Sequence, residues 1–84
     1  MTIKISKIIE TKDVFQDLIK LNILSQYKAK KDFLQNWFLT PWTRLKLREP
    51  KKDNVWYFRI NNQYRALAKY ENEELKVFSI DNHQ

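Results

Sequence analysis

The sequence contains no glycine, no cysteine, one histidine and two prolines in 84 residues. Without glycine, phosphate loops of the Walker or dinucleotide type are excluded, because their backbones reach phosphate only where a side chain is missing. Nucleotide-cofactor enzymes are therefore not expected. Without cysteine there is no disulfide and no thiolate chemistry. One imidazole offers little to a zinc site, so neither a metal nor a cofactor is expected. No apolar run approaches the ~20 residues of a membrane span. The N-terminal MTIKISKIIE has no apolar core of signal-peptide length. These absences point to a soluble, cytoplasmic protein without a membrane partner. The length suits a single domain over 1–84 with one modest core, to which three Trp, four Tyr and five Phe contribute large areas.

The formal charge is +6 and the pI about 9.7, which favours an anionic partner. Residues 1–42 carry seven lysines and no arginine, whereas Arg44, Arg48, Arg59 and Arg65 all lie in the second half. The guanidinium fork matches phosphate geometry better than an ammonium. The second half is thus the better candidate for a phosphate-facing surface, and the lysines of the first half read as solvated helix faces.

Ile3 and Ile5 alternate with polar residues and predict a short first strand. Thr11 is a candidate helix cap with Asp13 in the first turn. Val14, Leu18 and Leu21, with Phe15 and Ile19, have helical spacing, and Phe15, Leu18 and Ile19 read as core. Asn22 and Ser25 suggest a break, Ser25 capping a second helix on which Phe33 pairs with Trp37 and Leu34 with Phe38. Thr40-Pro41 should end that helix. Residues 43–54 form a basic connection, in which Pro50 opposes a long helix. Three strands follow, near 55–60, 64–70 and 75–80, with turns at Asn61-Asn62 and at Glu71-Asn72-Glu73. Asparagine tolerates the positive φ that a glycine-free hairpin needs. The expected fold is α+β, in the order β-α-α-β-β-β, with a helix hairpin packed on a small, mainly antiparallel sheet.

Strand alternation distributes the arginines. A three-residue loop would set Ile60 opposite Tyr64. Trp56, Phe58, Ile60, Tyr64, Ala66 and Ala68 would then share a packed face, and Tyr57, Arg59, Arg65 and Lys69 the open one. A two-residue loop would put Arg65 beside Phe58, a poorer partition. Two guanidinium groups on one sheet face repel each other, so the arrangement anticipates an anion. His83, near the end and beside an acid, is unremarkable when taken alone.

Trp56, Arg59-Ile60-Asn61, Tyr64-Arg65 and Asp81-Asn82-His83 form a pattern that resembles the C-terminal half of RelE/ParE-superfamily toxins, most like the HigB type. The match covers about the last 30 residues. The first half agrees in predicted element order.

The resemblance implies a RelE-like fold and the toxin of a type II toxin–antitoxin system. Such a toxin is a ribosome-dependent mRNA endonuclease, needing no metal, in which the RNA 2′-hydroxyl attacks the adjacent phosphate. Its expected partners are a cognate antitoxin, the ribosome and mRNA, and the expected effect is inhibition of translation. By the resemblance, Arg65 matches the phosphate-binding arginine. His83 matches the terminal histidine, an acid or base with a reference pKa near neutrality. Asp81 orients His83 or contacts RNA, and Arg59 is a second cation. Lys46, Arg48, Lys51, Lys52, Lys69 and Asn82 are the implied RNA- or ribosome-contacting residues. The sequence departs from the family at Asn82, where tyrosine is usual, in lacking a glycine after the second strand, and in the extra Gln84. Glu49 is a candidate base, since no second histidine exists. Two other readings stay open: a gyrase-inhibiting toxin of the ParE branch, and an inactive toxin-like binding module.

Overall fold

The computed structural model describes residues 2–36, 40–41 and 45–82. Trp37, Phe38, Trp42, Arg44, His83 and Gln84 lie outside them, and with them both helix pairs expected at Phe33–Trp37 and Leu34–Phe38. The elements are β1 (Thr2–Ile3), β2 (Lys7–Glu10), α1 (Lys12–Lys20), α2 (Leu24–Asn36), β3 (Thr40–Pro41), β4 (Lys46–Leu47), β5 (Val55–Arg59), β6 (Tyr64–Glu71) and β7 (Glu74–Asn82). The main sheet has the order β2-β7-β6-β5-β4, and β1 pairs with β3 separately. Among the described residues β2 and β7 run parallel and the other pairs are antiparallel. This is the expected α+β arrangement, with the α1–α2 hairpin on one face of the sheet. No helix among the described residues is long and apolar enough to cross a membrane.

The two helices are separated by a motif that replaces glycine with asparagine. Asn22 has φ 60°, its N–H donates to the Ile19 carbonyl, and the Ile23 N–H donates to the Leu18 carbonyl. That is a Schellman termination, in which the left-handed residue satisfies carbonyls the helix leaves unpaired. Thr11 caps α1 as expected, its hydroxyl accepting from the Val14 N–H at 3.2 Å. Ser25 lies inside α2, which begins at Leu24, so it is not the start of that helix.

The core joins both helices to the sheet. Val14, Leu18, Ile23, Tyr27 and Leu34 pack with Ile8, Phe58, Ile60, Ala66, Ala68, Leu75 and Val77. The two alanines of β6 leave room for the helices, and the Tyr27 ring stacks on Phe58 at 6.1 Å. Burying each larger side chain contributes roughly 1.5–3 kcal/mol. Phe15 and Ile19 are exposed rather than core, at 40% and 55%. The core stripe of α1 runs through Val14 and Leu18, and their neighbours in sequence lie about 100° around the helix. Leu45, expected in a polar connection, is fully buried.

The first strand differs from expectation. Ile3 belongs to the separate β1–β3 pair, Ile5 is a buried link, and the strand that joins the main sheet is Lys7–Glu10. Parallel pairing of β2 with β7 lets the chain pass directly into α1, with the Thr11 N–H bonded to the Val77 carbonyl.

Alternation is interrupted once in β7. Leu75 and Val77 are buried, yet Ile80 packs against the same core and Asp81 lies opposite Arg65. A register shift between Leu67 and Ala68 accounts for this: Ala68 pairs with Val77 and Leu67 with Ser79, leaving Phe78 as an extra residue. Phe78 faces the open side by alternation with Val77; the bulge turns Ser79 to that side as well and moves Asp81 there.

Tyr27 is buried, and its hydroxyl donates to Glu10 Oε2 at 2.8 Å. Lys31 Nζ pairs with the same oxygen at 3.1 Å. Burial, then the bond to Glu10 and its charge, push the Tyr27 phenol well above the usual tyrosine range. Above the ordinary tyrosine pKa of about 10 the unfolded chain gives up this proton while the folded chain keeps it, so stability falls as pH rises. Urea unfolding should show Tyr27→Phe to be less stable at neutral pH, by about 1 kcal/mol for the lost hydrogen bond. Its further loss between about pH 8 and about pH 11 should be smaller than that of wild type; an identical alkaline limb would contradict this.

Candidate nucleic-acid interface

The β5–β6 hairpin turns through Asn61, Asn62 and Gln63. The side-chain oxygen of Asn61 accepts from the N–H groups of Gln63 and Tyr64, each at 2.8 Å, while its amide donates to Gln26 of α2 at 2.8 Å. Ile60 N–H meets the Tyr64 carbonyl at 2.9 Å. The three-residue loop is therefore present, and the faces partition as the alternation requires. Phe58, Ile60, Ala66 and Ala68 are buried. Trp56 and Tyr64 pack against them from partly buried positions. Trp56 also donates to Asn54 Oδ1 at 2.8 Å and meets the Tyr70 ring edge-on at 5.8 Å.

On the open face, one row crosses three strands: Arg59 opposite Arg65, and Arg65 opposite Asp81. Arg65 Nη2 donates to Asp81 Oδ2 at 2.9 Å. The Arg65 guanidinium carbon lies 4.8 Å from the centre of the Tyr57 ring, a diagonal cross-strand contact with a cation–π component. Its Nε is buried without a hydrogen-bond partner among the described residues. Arg65 is thus held by an acid on one side and an aromatic face on another, while Arg59 is exposed. The second row holds Lys46, Tyr57, Leu67 and Ser79; the third holds Val55, Lys69, Lys76 and Ile9. Leu67, although on this face, is buried.

The remaining candidates divide between this face and its margin. Lys69 lies on the face, exposed, and donates to the Asp53 carbonyl, so its charge is not neutralised there. Lys46 occupies the edge strand β4. Arg48 follows it and lines a cleft of about 240 Å³ with Glu49, Pro50, Asp53 and Val55. Lys51 and Lys52 are exposed in a single 3₁₀ turn. These three cations and Glu49 flank the sheet beyond its edge strand and do not join the Arg59–Arg65–Asp81 row. Asn82 is exposed at the end of β7, opposite Tyr64, and His83 lies outside the described residues. Sequence reasoning placed Tyr57 on the open face but did not anticipate its contact with Arg65, nor Lys76 and Phe78 as members of the face. Both were accessible from the alternation Leu75–Lys76–Val77–Phe78; Ser79 and Asp81 were not, because the bulge decides their direction.

No family model matches the chain. An uncharacterised protein of Haemophilus influenzae is 40% identical over 43 residues, a stretch that spans 51% of this chain and 43% of that protein. The chain therefore spans less than half the length of that relative. Two solved assemblies contain a chain of the same fold. One is the RelBE2 toxin–antitoxin complex from Mycobacterium tuberculosis, with TM-score 0.69 and 15% identity over 95% of this chain and 93% of that one. The other is the heterotetrameric YoeB–YefM toxin–antitoxin complex from Staphylococcus aureus, with TM-score 0.61 and 16% identity over 92% and 95%. At these identities the likeness is one of fold: the chain has the RelE-like α+β architecture.

The Arg65–Asp81 pair is partly exposed, its side chains retaining 24% and 39% of their accessible surface. Solvent screening limits such a pair to roughly 0.2–1 kcal/mol. A double-mutant cycle with Arg65→Ala and Asp81→Ala, read by urea unfolding, should give a coupling below about 1 kcal/mol that shrinks as salt is raised. A coupling of several kcal/mol would mean that the pair is structural rather than available to an external anion.

Proposed function

We propose that the protein is the toxin of a type II toxin–antitoxin pair, of the RelE superfamily and closest in its motif to the HigB type. On this reading it cuts mRNA on the ribosome, and a cognate antitoxin neutralises it. The observation that carries the reading is the Arg59–Arg65–Asp81 row on the open face, with Arg65 held against Tyr57. The fold shared with chains of two toxin–antitoxin complexes supports it, as does the net charge of +6.

In the proposed reaction the RNA 2′-oxygen bonds to the adjacent phosphorus, its proton passing to a base. The bond to the 5′-oxygen breaks, and that oxygen receives a proton from an acid. The products are a 2′,3′-cyclic phosphate and a 5′-hydroxyl. Negative charge gathers on the phosphorane oxygens, where prepositioned cations are most effective. Arg65, oriented by Asp81 and Tyr57, supplies a rigid donor, and exposed Arg59 beside it supplies a second. His83 follows Asn82 directly in sequence and is assigned proton transfer. Lys46, Arg48, Lys51, Lys52 and Lys69 attract the RNA backbone.

The test is cleavage of a defined mRNA on programmed ribosomes. Wild type should cut within the codon exposed in the decoding site. Arg65→Ala and His83→Ala should each cut at least about 100-fold more slowly while keeping the wild-type circular dichroism spectrum. Intact mRNA with folded wild type would overturn the enzyme reading in favour of gyrase inhibition or simple binding.

A further inference from the structure

Four large hydrophobic side chains are exposed among the described residues. Phe15, Ile19 and Leu21 lie on or beside α1, and Phe78 alone belongs to the sheet. Phe78 faces the open side by the same alternation that puts Lys76 there, and the bulge that follows adds Ser79 to that face. Bulges of this kind are over-represented beside active sites, where they re-aim a side chain; here that side chain is Asp81, brought opposite Arg65. Phe78 retains 39% of its surface, although the same strand buries Leu75 and Val77 completely.

Its surroundings are charged. Lys76 precedes it on the same face, Lys69 lies opposite Lys76, and Arg65 pairs with Asp81 further along β7. Arg59 and Lys46 complete the basic field across β5 and β4. A contiguous exposed apolar patch of more than a few hundred Å² would mark a protein-docking surface. Phe78 among these cations, with the Tyr57 ring held against Arg65 on the same face, has the composition of a single-strand binding groove, in which basic side chains follow the backbone and an aromatic ring receives a base. A duplex does not fit this role, since its bases are already stacked. Phe78 and Asp81 are three residues apart in β7, about 10 Å along the strand. A base neighbouring a phosphate held at Arg65 falls within that reach.

We propose that Phe78 is a base-stacking residue of this face, receiving an unpaired base of a single-stranded RNA whose phosphate lies at Arg65. The proposal rests on the reading of the open face as an RNA site and adds a base contact to it. Because every base has a π-face, the contact is tolerant of base identity and acts on affinity rather than on charge.

The test is fluorescence anisotropy of a fluorescein-labelled short single-stranded RNA of mixed sequence, titrated with full-length protein over a range of salt concentrations. Phe78→Leu should weaken binding about 5- to 150-fold with the salt slope unchanged, and Phe78→Tyr should restore it. Arg59→Ala should instead lower the salt slope by about one contact. Phe78→Leu should keep the wild-type melting temperature, since the side chain lies outside the core. Equal affinity of Phe78→Leu and wild type would overturn the proposal, as would a loss that Phe78→Tyr does not recover, or no binding of RNA by wild type at low salt. Binding that depends on Phe78, together with intact mRNA in the ribosome assay, would retain the stacking site and reject the nuclease.

Discussion

Strand β7 has to serve two surfaces that strict alternation cannot serve together. Leu75 and Val77 belong to the core, and in a regular strand Ser79 and Asp81 would follow them inward. Ile80 would then face outward, and a carboxylate would be buried among aliphatic side chains, at a cost of several kcal/mol unless it were paired. One extra residue at Phe78 reverses the phase. Ile80 returns to the core, and Asp81 reaches Arg65. The core beneath the helices and the charged row on the open face both depend on that single irregularity. A one-residue change of register elsewhere in the hairpin would exchange the two faces completely.

The absence of glycine bears on the architecture in a similar way. Among the described residues left-handed backbone falls to Asn22, Asn54, Asn72 and Glu73. Three of the four are anchored by something nearby. Asn22 sits in the Schellman motif. Asn54 donates to the Tyr70 carbonyl and accepts from Trp56. Glu73 is the least suited to positive φ, and Ser6 binds both its carbonyl and its carboxylate. The β6–β7 hairpin, which carries Arg65 and Asp81, is thus closed by a two-residue turn of the kind that favours asparagine at φ above zero.

These features explain what could be read in advance. The β5–β6 faces were legible because aromatic and small apolar residues alternate with Tyr57, Arg59, Arg65 and Lys69, and only an odd loop keeps Arg65 away from Phe58. The positions of the turns were legible from asparagine, although left-handed backbone is found at Asn72 and not at Asn61 or Asn62, where the Asn61 side chain instead accepts from the Gln63 and Tyr64 N–H groups. The strand β2 was not, because Lys7–Glu10 has no alternation stronger than that of Ile3 and Ile5, and its place depends on a distant partner in β7. Phe15 and Ile19 were misassigned because hydrophobicity alone does not decide which side of a short helix meets the sheet. Of the candidate site, the Arg59–Arg65 pairing was visible. The Arg65–Asp81 bridge was not, since its parity is set by a bulge that leaves no local signature.

The way Arg65 is held bears on whether an anion can use it. A buried, fully satisfied ion pair would resist an incoming phosphate, because breaking such pairs costs roughly 3–5 kcal/mol. A wholly exposed arginine would arrive disordered and lose side-chain entropy of up to about 2 kcal/mol on binding. Arg65 lies between these limits. Asp81 engages Nη2, the Tyr57 ring lies against the guanidinium, and the pair keeps contact with solvent. A phosphate approaching the open face need not expel Asp81 completely, since a guanidinium has five donors and Asp81 takes one of them. Repulsion between Arg59 and Arg65, which Asp81 offsets on one side only, remains as a field on the other. On the proposed reading, a doubly anionic transition state would relieve that repulsion more than a singly charged ground state, the difference in stabilisation that catalysis requires.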